Sequence, residues 1–519
     1  MKAGQLFVTI GAFVFGLALT ASAGEKILFV PLDNRPVCLD YTVDSFRKAE
    51  YEVVTPPKEF IASNTNQGNP EELLAFLDQE APGASGAVVS GDAVIYGGLV
   101  NSRTHELPQE TLQKRADALL SFKKKHPDVP LYAFSTIMRS PRWSGAPVEP
   151  AYYSQYGPQI FRWGELRDKA ELGLLKKKEH RELAELEAAL PEDVRADVLS
   201  RREKNGRVLV HLAEGLKQGT LDYFLIGRDD SAPYSEAHRD ARHFMEAVKD
   251  VPAYKLRSFA GADELSMVLL NRAVNRARGR TPLVYGFYTE GVGEKTVPSY
   301  EDNTIRHSYR EHVLAAGAYP AQFDKRADLV LGLFTPVDGV TYGADGPQNS
   351  NTLKPEQQQF LAKTEHYLAD GKNVGIADVA FGNGGSNGLV KALFDRKDAY
   401  RLGSYAGWNT ASNSLGYALG QGLLREKLTD KDREILLNTR YLDDWAYQSN
   451  VRQQVRKDLI WANQWPDGKL DGDQLKQAEQ FITNGMLKTV GPVMGNDAVK
   501  EYKFRLPWKR TFEVEVSRK

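Results

Sequence analysis

The chain has 519 residues, 42% of them apolar and 26% charged, with 67 basic against 68 acidic side chains and a net charge of −1. That length is several times a usual domain and implies two large domains or one elaborated one, with ample apolar material for a core. The balanced charge argues against nucleic acid as a partner, because no basic excess is present to neutralise phosphates.

Residues 1–23 have the form of a secretory signal peptide: Lys2, an apolar run from Leu6 to Leu19, and Ala21-Ser22-Ala23 before Gly24. The run falls short of the ~20 apolar residues that span a bilayer. The expectation is a periplasmic or secreted protein with no stable membrane insertion after cleavage. The single cysteine, Cys38, can make no intrachain disulfide, and a large exported chain with a full core needs none.

From Lys26 onward an apolar run repeatedly ends in a polar loop and is followed by a helix, the signature of parallel βαβ units. The first run, Lys26 to Leu32, ends in Asp33-Asn34-Arg35-Pro36, and Tyr51 to Thr55 follows one helix later. Gly86 to Ser90 runs into Asp92, Tyr96, Asn101 and Arg103, and Leu131 to Thr136 into Arg139, Arg142 and Trp143. The rhythm then breaks at about 145–219, an aromatic loop and two charge-rich helical stretches parted at Pro191. This insertion is either a cap over the site or a plain crossover. Tyr223 to Ile226 resumes the pattern and ends in Arg228-Asp229-Asp230-Ser231.

Five further runs follow, Lys255 to Phe259, Leu283 to Tyr288, Leu329 to Phe334, Val374 to Ala377 and Gly403 to Ala406. Their loops carry Asp263-Glu264, Glu290, Asp338, Asp378 with Asn383 and Asn387, and Trp408 with Asn409 and Asn413. Ten units divide naturally into two Rossmann-like lobes, 24–254 and 255–424; an elaborated (β/α)8 barrel is the alternative. Residues 425–519 read as helical, closing with an alternating apolar pattern from Tyr502 to Val516 that predicts a strand or hairpin.

The segments PLDNRP, SGDAVIYGGLVNSR, IGRDDSAP, GADE, ADVAFGNGGSN, YAGWNTASNSLG and LPWKRTFEVEV together resemble a family of exported bacterial proteins filed as domain of unknown function 4127. The resemblance spans nearly the whole mature chain. It implies that these strand-end loops occur together in one family and carries no activity with it.

Function therefore has to come from chemistry. In open parallel sheets, ligands bind beyond the carboxyl ends of the strands. The candidate catalytic carboxylates are Asp229, Asp230, Asp92, Asp263 and Glu264. Candidate substrate contacts are Asp33, Asn34, Arg35, Tyr96, Arg103, Arg139, Arg142, Glu290, Asp378, Asn383, Asn387, Trp408, Asn409 and Asn413. Each acid has a competing role as a helix cap, Asp230 before the Ser235 helix above all. No HExxH spacing is present, so no metal site is assigned. A hard cation held by Asp229, Asp230, Asp378 and Asn383 stays open, and no cofactor is expected. The loop Gly382 to Gly388 nears the dinucleotide fingerprint without its acidic partner. Paired acids with amides and aromatic surfaces suit an exported hydrolase acting on a carbohydrate or other polyhydroxylated substrate. The alternatives are a bilobal solute-binding protein for a polar or carboxylated ligand, or an isomerase or lyase. A small molecule or glycan is the expected partner; the sequence leaves the oligomeric state open.

Overall fold

The computed structural model describes residues 25–64 and 66–519, so the expected signal peptide lies outside the described residues. Six strands form the first sheet: β1 Lys26–Val30, β2 Glu52–Val54, β3 Gly86–Ser90, β4 Leu131–Ile137, β5 Tyr223–Arg228 and β6 Leu256–Ala260. They pair in the order β2-β1-β3-β4-β5-β6, all parallel. Every residue of β3, β4 and β5 is buried, as continuous apolar runs covered on both faces require.

The second sheet contains β7 Leu283–Tyr288, β8 Tyr319–Pro320, β9 Leu329–Phe334, β10 Val374–Asp378 and β11 Ser404–Ala406. Its order is β8-β7-β9-β10-β11, again all parallel. Both sheets are therefore wound alike. The first strand of each has the second on one side and the third on the other, which creates a switch point where carboxyl ends open onto a crevice. Neither sheet closes, so the fold is two-sheet α/β and not a barrel.

One division differs from the reading of the sequence. The strand near residue 256, expected to open the second lobe, is the edge strand of the first sheet, with Arg228 opposite Ala260. Strand–helix rhythm is the same in both lobes and carries no signal of which sheet a strand joins.

The two sheets meet through helices Leu265–Ala277 and Ala411–Leu424, which pack against each other while covering the first and second sheet respectively. Gly416 and Gly420 make this approach feasible. A Cβ at Gly416 would stand 2.4 Å from Glu264 Cγ, and one at Gly420 would stand 2.4 Å from Met267 Cγ. The Arg228 guanidinium also crosses to the second half, donating through Nε and Nη2, at 2.5 and 2.6 Å, to both oxygens of Asp302, whose side chain is fully covered.

Between β4 and β5 the chain makes three helices, Tyr153–Glu171, Lys177–Ala189 and Glu192–Gln218. The last lies against β4, β5 and the helix Glu236–Ala247, as a crossover does. The C-terminal region is helical, including Asp430–Arg440, a π-helical stretch Tyr441–Val451 and Gly472–Met494. It ends in an antiparallel hairpin of β12 Tyr502–Arg505 and β13 Glu515–Arg518. Tyr41 fixes this hairpin to the first lobe: its hydroxyl donates to the Val514 carbonyl at 3.1 Å and accepts the Val516 N–H at 2.7 Å.

Candidate functional site

A cavity of about 340 Å3 lies where the carboxyl ends of the two sheets come together. The first sheet supplies Asp33 and Arg35 after β1, Arg103 after β3, Arg139 and Trp143 after β4, Asp229 and Asp230 after β5, and Asp263 after β6. The second supplies Tyr300, Asn383 and Asn409, and the turn of the terminal hairpin adds Trp508, Arg510 and Phe512.

Three arginines organise the acids. Arg35 donates through Nε to Asp33 at 3.0 Å, and its Nη1 reaches Asp263 at 3.2 Å, so one guanidinium joins the ends of β1 and β6. Arg103 is held by the Asp229 carboxylate, and Arg139 donates to Asp230 at 2.8 Å and to Glu149 at 2.6 Å. Burial opposes the charge on Arg35 and Arg139, but the facing carboxylates more than offset it and hold both firmly protonated.

The acids are not equivalent. Burial pushes the Asp263 carboxyl up to about 6 despite Arg35, with Asp33 and Asp229 adding repulsion. Asp229 is thus near enough to Asp263 to oppose its ionisation. Burial and then the neighbouring Asp229 charge raise the Asp230 carboxyl as well, against the pull of Arg139. Asp230 also holds a left-handed backbone, φ 36°, which turns its side chain away from the course of β5 at a cost of ~1 kcal/mol. It caps no helix: Ser235 does, its hydroxyl oxygen accepting the His238 N–H at 3.1 Å.

Asn383 and Asn409 are left-handed too, at φ 61° and 57°, tied by the Asn383 N–H to the Asn409 carbonyl at 2.7 Å. Their amide side chains line the cavity without a hydrogen-bond partner among the described residues. Trp143 stands at the rim, 82% exposed.

Other sequence candidates support the cavity from behind. The Asn34 side-chain oxygen accepts the Trp508 indole N–H at 2.8 Å, and that of Asn413 accepts the Asp263 backbone N–H at 3.2 Å. Asp92 is fully buried, accepts the Thr136 N–H at 2.8 Å, and is pushed by burial to about 7. Tyr96 is buried against the His105 ring.

The remainder lie apart. Glu264 is buried at the lobe junction, accepting the Ala262 N–H at 3.0 Å and 3.2 Å from His312. Asp378 accepts the Ser386 N–H at 2.6 Å and the Tyr405 hydroxyl at 2.9 Å inside the second lobe, where burial raises it to about 7. Asn387 is bonded to Asn349, Trp445 and Asn450. Trp408 is core, 1% exposed. The Arg142 guanidinium sits over the Phe161 ring, and exposed Glu290 pairs with Lys363.

The oxygen donors considered for a cation therefore do not all converge, because Asp378 faces Tyr405 and not Asp229. Among the described residues no cluster of three or more His, Cys, Asp or Glu has metal-holding geometry. Sequence reasoning missed Glu149, Tyr300 and Arg510, and took Trp508 and Phe512, in the alternating apolar tail, only for packing. An aromatic-cationic WKRTF segment in an alternating tail was the available signal.

The family model described as "Protein of unknown function (DUF4127)" matches residues 27–517. No curated protein and no solved structure matches the chain.

Proposed function

The chain belongs to the DUF4127 family, and we propose that it is an exported hydrolase acting on a carbohydrate or other polyhydroxylated substrate. The observation that carries this reading is the pairing in one cavity of two carboxyls pushed toward the neutral form, Asp230 and Asp263, beside the Arg103-bound Asp229. Glycosidic cleavage needs one carboxyl to give a proton and another to receive one.

Asp230 is the proton donor: burial and the adjacent Asp229 charge both favour its protonated form. As the bond from sugar carbon to leaving oxygen breaks, that proton passes to the leaving oxygen. Asp263, ionised above about pH 6, takes a proton from the attacking water, whose oxygen bonds to the same carbon. Asn383 and Asn409 offer donors and acceptors to hydroxyls, and exposed Trp143 offers a flat face to a sugar ring. Arg35 and Arg139 position the two acids.

Turnover by the mature chain on a panel of oligosaccharides and glycosides, against Asp230→Asn and Asp263→Asn, tests the reading. Saturable binding without turnover would replace it with the solute-binding alternative.

A further inference from the structure

A second cavity of about 660 Å3, nearly twice the volume of the acidic one, opens beside the first sheet between helices Glu192–Gln218 and Glu236–Ala247. It shares no lining residue with the acidic cavity. Its apolar lining includes Leu199, Leu209, Val210 and Phe244, with Ile137 and Met138 at the end of β4. Gly206 widens it: a Cβ added there would meet nothing within 4 Å.

The charges around this space are already spent on one another. Arg167 donates to Glu236 at 2.8 Å, Arg202 to Asp240 at 2.8 Å, and Arg239 to Glu171 at 2.6 Å. Arg207 pairs with Glu203, His243 with Glu171, His211 with Asp117, and Glu214 with Lys217. A charged ligand would enter without a counter-charge and lose its hydration, whereas a neutral one gains apolar contact at no such loss. Behind this lining, Arg202 Nε and Glu236 Oε2 are buried without a hydrogen-bond partner among the described residues, Glu236 Oε2 lying 3.7 Å from Arg239 Nη1.

We propose that this cavity is a binding site for an uncharged ligand with an apolar body of one or two rings. The volume falls in the ordinary range of small-molecule sites. One wall adjoins that of the acidic cavity, because Arg202 also donates to the Met138 and Arg139 carbonyls at 2.8 and 2.5 Å, and Arg139 lines the acidic cavity.

The test titrates the full mature chain, methyl-labelled at Leu and Val, with 2-phenylethanol. Phenethylamine and phenylacetate serve as cationic and anionic counterparts of equal size. The alcohol should shift the methyls of Leu199, Leu209 and Val210 and bind at least about tenfold more tightly than either ion. Gly206→Leu, which fills the space and favours the helix, should weaken it at least about tenfold, while Gly206→Ala should change it less than about twofold. Equal binding of the ions, indifference to Gly206→Leu, or no methyl shift at saturating alcohol would overturn the proposal.

Discussion

Replacing Asp92 by Asn keeps the shape of the side chain and the acceptor for the Thr136 N–H while removing an ionisable group from a fully buried position. Burial is the largest cause of the raised Asp92 carboxyl, which is pushed up to about 7 from the ordinary carboxylate range. The sign follows from linkage. A carboxyl whose folded value is raised contributes fully below its unfolded value, and that contribution is lost as pH rises through the folded one. For this shift the loss is about 1 kcal/mol at pH 4.5 and roughly 4 kcal/mol at pH 8. The Asn variant has no such group, so its stability relative to wild type should rise by roughly 3 kcal/mol between those two pH values. Urea unfolding of both proteins at both pH values measures it. A difference that does not change with pH would refute the burial argument. Turnover should survive in this variant, since Asp92 does not line the acidic cavity.

Arg228→Ala should destabilise the protein by about 3–5 kcal/mol, because it leaves the buried Asp302 carboxylate without its bidentate partner; a denaturant midpoint reads this. Gly416→Val should also destabilise it, by about 1–3 kcal/mol or more, since its Cβ falls 2.4 Å from Glu264 Cγ; a melting curve reads the loss. Trp143→Ala removes the exposed indole at the cavity rim and should raise KM more than it lowers kcat.

The strand ends could be read from the sequence because a buried parallel strand is a continuous apolar run, and its polar loop marks the carboxyl end. That placed Asp33, Arg35, Arg103, Arg139, Asp229, Asp230, Asp263, Asn383 and Asn409, all of which line one cavity. Asp92, Glu264 and Asp378 look the same in sequence and point elsewhere. Asp92 sits in the first turn of a helix that starts directly after β3, and Asp378 is itself the last residue of β10. A shift of one residue at a strand end sends a side chain to the other face. Trp508, Arg510 and Phe512 were hidden for another reason. Trp508 meets Asn34 across 474 positions of chain, a contact no local pattern announces.

The roles proposed for Asp230 and Asp263, proton donor and proton acceptor, are decided by kcat/KM for the best substrate of a glycan panel followed against pH. The expected profile is a bell whose acid limb lies near 6, from Asp263, with a loss of about 10²–10⁴-fold in both Asp230→Asn and Asp263→Asn and substrate binding retained. Undiminished turnover in either variant, or wild-type binding with no turnover on any substrate, would contradict it.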